Sequence, residues 1–375
     1  MRNDTRLLFT AYVSQLALIN GVDPSVVADG KQFTVAPAVE QKLEEKIRES
    51  SEFLSLIETV PVDQQEGDKV GIDVTRPLAS RTNTGAGNKR EPTDPTDSLD
   101  LGRYRCEKTD FDSAIKYAKI DAWRHRPEFQ QLIRDVILKQ QGRDRIMIGW
   151  NGVDVAVETD RDTYPLLQDV NKGWLYKIRT FGPARVLNDG DLTVYDDGEN
   201  NPGVKAIYVA DGDLFDPVAD NATTADADYV NLDALVHDAV ELMDEWHRDD
   251  TDIVVILGRD LVHQKFQNIV NQAADTATEI EARDRILTLP KMVGGKKAIM
   301  VPFFPANALL VTKLSNLKIY VQNETRRRTL REEPELDQVA NYESVNEAYV
   351  VEDYGQCALV ENIVMSPAPA RAAAP

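Results

Sequence analysis

Residues 253–258 read IVVILG, an apolar run with no polar interruption. A strand with one wet face alternates apolar and polar side chains, so an unbroken run of this length reads as a central strand buried on both faces. Upstream, Asn231 is placed to cap a helix in which Leu232, Leu235, Val236, Ala239, Leu242, Met243 and Trp246 line one side. Downstream, LVHQKFQNIVNQAA reads as another helix, and LKIYV and AYVVEDY, after VPFFPANALLVTKL, read as strands. The pattern is that of an α+β chain.

The amino-terminal part is organised differently. Leu7, Leu8, Ala11, Tyr12, Leu16 and Ile19 recur at three- and four-residue steps and Asn20-Gly21 supplies a stop, which predicts an amphipathic helix. A second helix is expected from residue 37 to about 57, with Val39, Leu43, Ile47, Leu54 and Ile57 on one face. The two have no core of their own and read as an arm that packs elsewhere. From residue 60 to about 118, VGIDVT and RYRCEKTDFDSAIKYAKI favour strands on either side of RTNTGAGNKREPTDPTDS, which is rich in turn formers. That segment reads either as a disordered loop or as a two-stranded finger ordered against a neighbour. A long helix is expected from residue 121 to about 150, with Phe129, Leu132, Ile133, Val136 and Ile137 as its stripe. Residues 189–228 are acidic and loop-heavy, and the terminal SPAPARAAAP is too low in complexity to pack.

At 375 residues the chain is long for one core and suggests two or three units. Lys and Arg number 43 against 63 Asp and Glu, a net charge of -20, which opposes long-range attraction to DNA. Cys106 and Cys357, with no CxxC pair, exclude a metal knuckle and a disulfide framework and fit a reducing compartment. Asp4, Thr5, Thr10, Ser14 and Gln15 break the first apolar run, which argues against a signal peptide. No stretch approaches the ~18 apolar residues of a membrane span.

Catalytic patterns are sparse. The histidines are His125, His237, His247 and His263. DEWHRDD and the residues after it offer His247, Asp249, Asp250 and Asp252 as ligands for a metal-dependent hydrolase, against the plainer reading of a solvated helix end. NTGAGNK, residues 83–89, lacks the spacing of a phosphate loop, no nucleophile elbow occurs, and Cys357 reads as a buried thiol. One charged stretch is left, ETRRRTLREEPELDQVANYES from residue 324 to 344. Arg326, Arg327 and Arg328 alone suit phosphate, but Glu332, Glu333, Glu335 and Asp337 follow closely. Strand alternation turns Arg326 and Arg328 one way and Arg327 the other. A patch that carries both signs is self-complementary between identical copies. Phosphate binding, copy-to-copy contact and a charge network within one chain all stay open on this pattern.

MRNDTRLLFTAYVSQLALINGV, SSEFLSLIETVPV, GWNGV, LLQDVNKGWL, LDALVHDA, DIVVILGR, VPFFPANALLVTKLSNLKIY and NYESVNEAYVVEDYG follow one another along nearly the whole chain. Together they resemble the major capsid proteins of P-two-like (peduovirus) tailed phages; residues 81–101 and 188–229 depart from the pattern. The resemblance implies a Hong Kong 97-type capsid fold. Its parts would be an N-terminal segment, 1–33, removed on maturation; an N-arm, 34–60; an extended β-hairpin loop, 61–118; a peripheral domain with a spine helix, 119–163 and 315–366; an axial domain, 164–314; and a disordered tail, 367–375. It further implies a protein that is no enzyme, uses no cofactor, and self-assembles as pentamers and hexamers into the icosahedral head shell around the genome. An internal scaffold with protease activity, a portal protein and a decoration protein are the partners implied, with no membrane and no strong or specific DNA binding. The location implied is the virion, after assembly in the host cytoplasm.

Cutting is expected in the vicinity of Gln32, Phe33 and Thr34. The lost piece balances Arg2, Arg6 and Lys31 against Asp4, Asp23 and Asp29, so its removal acts by deleting a helix and not by changing charge. Contact between subunits is expected at Arg326, Arg327, Arg328, Glu332, Glu333, Glu335, Asp337, Tyr342 and Glu343. The alternatives are the metal-dependent hydrolase and another virion structural protein of the tail or baseplate.

Overall fold

The computed structural model describes residues 2–69, 79–84, 89–92, 102–123, 129–190, 205–210, 227–262 and 292–365. Most of the finger tip, most of the acidic insert, the helix expected beyond Val262, His125, His263 and the terminal tail lie outside the described residues.

Ile253–Leu257 is a strand with every residue buried. It lies inside a six-stranded sheet ordered Met292–Val293, Lys296–Met300, Ile253–Leu257, Leu309–Lys313, Cys357–Val360, Val186–Leu187. Helix Leu232–Glu241 covers one face, with Leu235, Val236 and Ala239 packed among Val255, Leu257, Val311 and Val360. Asn231 Oδ1 accepts the Ala234 amide at 2.8 Å, the N-cap expected from the sequence. The helix stops at Glu241, and Trp246 falls in a separate turn and is 55% exposed, so it does not share the stripe.

A second sheet is built around Gln338–Val351, the longest strand. On one side it pairs antiparallel with Arg327–Glu333 and Leu317–Gln322, on the other with Ser113–Lys116 and Glu107–Asp110. Glu58–Val62 extends the sheet parallel to Leu317–Gln322, and Phe33–Thr34 extends it antiparallel to Arg327–Glu333. RYRCEKTDFDSAIKYAKI therefore divides. Only Arg103–Arg105 belongs to the finger, where it pairs with Glu66–Asp68 and closes the base of a hairpin. The next two strands join the second sheet, and the end of the segment turns into helix Tyr117–Trp123.

Two further expectations are corrected. The helix expected over 37–57 is two helices, Pro37–Glu49 and Glu52–Leu56. Ser50 Oγ donates to the Ile47 carbonyl at 2.6 Å where the first helix ends. Gly142 makes room for this bend, since a Cβ there would stand 2.6 Å from Ser50 Oγ. The final strands do not return as one block: Cys357–Val360 pairs with Leu309–Thr312, so it belongs to the sheet around Ile253–Leu257.

The long helix is Phe129–Asn151. Of the expected stripe, the side chains of Phe129, Leu132 and Ile133 lie outside the described residues, Ile137 is half-buried and Val136 is 61% exposed; among the described residues the helix buries Leu138, Ile146, Ile148 and Trp150, clustered with Ile47, Phe53, Leu54 and Ile57 of the arm. Trp150 and Trp174 meet edge to face, 4.9 Å between ring centroids, in a core shared by both sheets. A Cβ at Gly149 would fall 2.2 Å from the Trp174 ring, so the approach needs glycine. The first helix, Asn3–Asn20, is rotated from its expected phase. Val13 and Ala17 face inward with Tyr12 and Leu16 beside them, while Leu7 and Ile19 are exposed at 73% and 52%.

Candidate assembly surfaces

The charged stretch begins where strand Leu317–Gln322 ends. Glu324, at φ 60°, turns the chain, and its amide donates to Glu40 Oε2 at 3.3 Å. Arg327–Glu333 then runs outward, a turn at Pro334–Leu336 closes the hairpin with Asp337 at φ 51°, and Gln338–Val351 returns.

The three arginines have three different surroundings. Arg326 is wholly buried and its guanidinium pairs with Glu44 of the arm helix and Glu343 of the long strand. Arg145 of the spine helix reaches the same Glu44 at 2.6 and 3.0 Å and Glu347 at 2.9 Å, and Tyr349 Oη donates to Glu347 at 2.9 Å. Burial pushes the Glu44 carboxyl up, but Arg145 and then Arg326 outweigh it and hold it at about 2. Burial also raises Glu40, and there it prevails over Arg326. The expectation that Arg326 and Glu343 meet another subunit is corrected by this burial. Both are consumed in a lock that joins arm, spine and sheet within one chain.

Arg328 is partly covered and donates to Asn341 Oδ1 at 2.5 Å and to Tyr12 Oη at 3.5 Å. Arg327 is exposed on the opposite face of the strand, as the pleat requires. Glu332 pairs with Arg6 of the first helix at 3.3 Å. Glu333 accepts from Tyr342 Oη and Gln338 Nε2, each at 2.6 Å. Glu335 and Asp337 are exposed at the hairpin turn. Arg331, also exposed, was missed by reading the triplet alone, although it lies on the same face as Arg327.

The residues around the expected cut lie against this same strand. Phe33 pairs with Arg328 and Thr34 with Arg327, and the Val35 amide donates to the Arg326 carbonyl at 2.9 Å. Phe33 is buried with Val13, Ala17, Val27, Ile120, Leu330 and Val339, whereas Gln32 and Thr34 are exposed. Residues 2–35 thus cover one face and one edge of Arg327–Glu333.

The metal reading finds no cluster. His237 is exposed and His247 buried, and Asp249 and Asp252 point to solvent. His247 lies 3.4 Å from Asp250 and 3.5 Å from Asp353, while Lys313 Nζ meets Asp250 at 2.5 Å and holds its carboxyl below the ordinary range. Among the described residues no three His, Cys, Asp or Glu side chains gather to hold a metal ion. Cys357 is a buried core thiol, as is Cys106, which burial pushes up to about 12. Among the described residues no helix is long and apolar enough to cross a membrane.

Residues 8–363 match the profile of the phage major capsid protein, P2 family. The chain is 43% identical over 364 residues to the capsid proteins of Escherichia phage P2, covering 97% of this chain and 95% of that one. It is 38% identical over 368 residues to the major capsid protein of Serratia phage KSP20, covering 98% of each. A solved satellite phage P4 procapsid that includes the size determination (Sid) protein superposes with a TM-score of 0.74 at 40% identity, covering 98% of this chain and 99% of that one.

Proposed function

The chain belongs to the P2 family of phage major capsid proteins and is a structural protein of the virion head shell, and from there we propose how its parts divide the work of assembly. The fold is of the Hong Kong 97 class. The peripheral domain comprises 119–163 and 315–366, centred on the spine helix Phe129–Asn151 and the long strand, but it lends Cys357–Val360 to the neighbouring sheet. The axial domain, 164–314, is the body around Ile253–Leu257. Residues 34–60 are the N-arm, tied down through Glu44. Of the extended loop, 61–118, the hairpin Glu66–Asp68 with Arg103–Arg105 is the base and 107–116 joins the second sheet; the tip, largely outside the described residues, is assigned to contact with a neighbouring subunit.

Copies of this chain associate as pentamers and hexamers, and their contacts tolerate the change of angle between the two. Charged and hydrated pairs bend with less penalty than an interlocked apolar surface. The exposed Arg327, Glu335, Asp337 and Tyr342 suit such contacts. The observation that carries this reading is a strand whose outward charges are of both signs, on a chain that matches capsid proteins over nearly its full length. Electron microscopy of the purified chain tests it: shells or rings are expected, and a protein that stays monomeric at high concentration overturns it.

Residues 1–33 are removed during maturation by a protease carried with an internal scaffold, and a portal protein is a further partner. In support, Gln32 and Thr34 are exposed at a short edge strand that a protease reaches once it lifts from Arg327 and Arg328. Mass spectrometry of chains from mature particles is expected to show a start near Thr34, and an intact Met1 end sinks the maturation reading.

A further inference from the structure

Arg327–Glu333 reads RRTLREE, and its charges invert when it is reversed about Leu330. Laid antiparallel on a second copy, Arg327 faces Glu333, Arg328 faces Glu332, Thr329 faces Arg331, and Leu330 faces itself. The backbone permits this register. The Arg326 carbonyl points toward residues 33–35, and alternate residues of a strand direct their polar groups to the same side. Arg328, Leu330 and Glu332 therefore turn their amides and carbonyls to the outer edge, where a two-fold pair centred on Leu330 forms reciprocal bonds. The side chains agree on both faces. Arg328, Leu330 and Glu332 lie beneath the first helix, and Arg327, Thr329, Arg331 and Glu333 lie on the other side.

At present residues 2–35 take that place. Phe33 and Thr34 pair with the start of the edge, and Gly30 lies against the Leu330 carbonyl. Arg6 pairs with Glu332, the residue that Arg328 of a second copy would meet. We propose that the N-terminal segment is an intramolecular stand-in for a second copy of this chain, and that its release lets two Arg327–Glu333 strands join their sheets across a two-fold axis. Release itself rests on the maturation reading above, but pairing of the freed edges does not. Unpaired edges are templates for strand addition, and these edges carry the charge pattern of their own partner.

The test imposes the cut. Full-length chain with a protease recognition sequence introduced after Thr34, so that the cut frees Gly30 and the Phe33–Thr34 strand from the edge, is folded intact, cut, and followed by gel filtration and by disulfide trapping at Leu330→Cys, which pairs only with itself across the axis. Thr329→Cys with Arg331→Cys traps the same register if the core position does not tolerate cysteine. Before cutting no trapped dimer is expected; after cutting the segment separates and trapped dimer increases about tenfold. Arg327→Glu abolishes the increase, and Arg327→Glu with Glu333→Arg restores it. A segment that stays bound after cutting, a cut chain that gives no dimer, or a dimer indifferent to Arg327→Glu each overturns the proposal. The mass of chains from mature particles bears only on whether the cut occurs in the virion.

Discussion

The two sheets bury different things. Around Ile253–Leu257 the buried side chains are almost all apolar: Leu309, Leu310 and Val311 of Leu309–Lys313, with Thr312 the exception in that strand, and all of Cys357–Val360. Around Gln338–Val351 the buried set includes Asn341, Glu343 and Glu347, with Arg145 and Arg326 brought in from other elements. Apolar burial is additive and indifferent to which neighbour supplies it. A buried carboxylate is not: its desolvation is offset only by a particular partner in a particular place. The first sheet is therefore a generic foundation, while the second fixes where the arm and the spine helix sit relative to the strand that carries the outward charges.

The sharpest break of this contrast is Arg326→Met. It leaves Glu343 and Glu40 buried without their guanidinium, at a cost of roughly 3–5 kcal/mol. Urea unfolding should show the loss, and a midpoint within experimental scatter of the parent refutes the lock.

Acid probes the same network without mutation. The Glu44 carboxyl is held at about 2, below its ordinary 4.5. Between those values the unfolded chain binds the extra proton, so stability rises with pH there. The contribution is complete above about 4.5 and is lost as pH falls toward 2, on the order of 3 kcal/mol in all. Glu40, raised by burial, slopes the opposite way above 4.5. Glu44→Gln should flatten the acid limb, and an unchanged acid limb in that variant assigns the effect elsewhere.

Ile256→Val is the matching probe of the other sheet. It removes one methylene from a fully buried strand and should cost about 1 kcal/mol, equally at pH 3.5 and pH 7. A pH-dependent penalty there means that the two sheets are not energetically distinct.

What was legible in the sequence follows the same division. IVVILG announces its own burial, and the Asn231 cap is a local pattern that needs no partner. The ion lock is silent in sequence because Glu44 lies 101 residues from Arg145 and 282 from Arg326, and Glu347 lies 202 from Arg145. Arg326, Arg327 and Arg328 look equivalent as letters, and pleat and arm contact alone separate them. The first helix was misphased for a related reason. Its larger leucines drew the stripe, but Ala17 and Val13 are what the sheet admits at close range. The short pairing of Phe33–Thr34 with Arg327 and Arg328 carries no periodic signal at all.

Arg327→Glu should have the smallest effect on folding and a large one on assembly. One residue from a side chain whose loss costs several kcal/mol, Arg327 is exposed and sits outside the buried lock. Substitution at such a position changes stability by less than about 0.5 kcal/mol. Reversing its sign nevertheless places a carboxylate in an outward patch whose acidic half, Glu333, Glu335 and Asp337, is expected to face it from another subunit, and like charges across an interface are strongly disfavoured. Melting temperature and particle counts by electron microscopy, measured on the same preparation, separate the two effects. An unchanged melt with shells reduced about tenfold assigns Arg327 to the contact between copies. An unchanged melt with normal shells removes the arginine stretch from the assembly surface and leaves Arg326, buried beside it, as its one indispensable member.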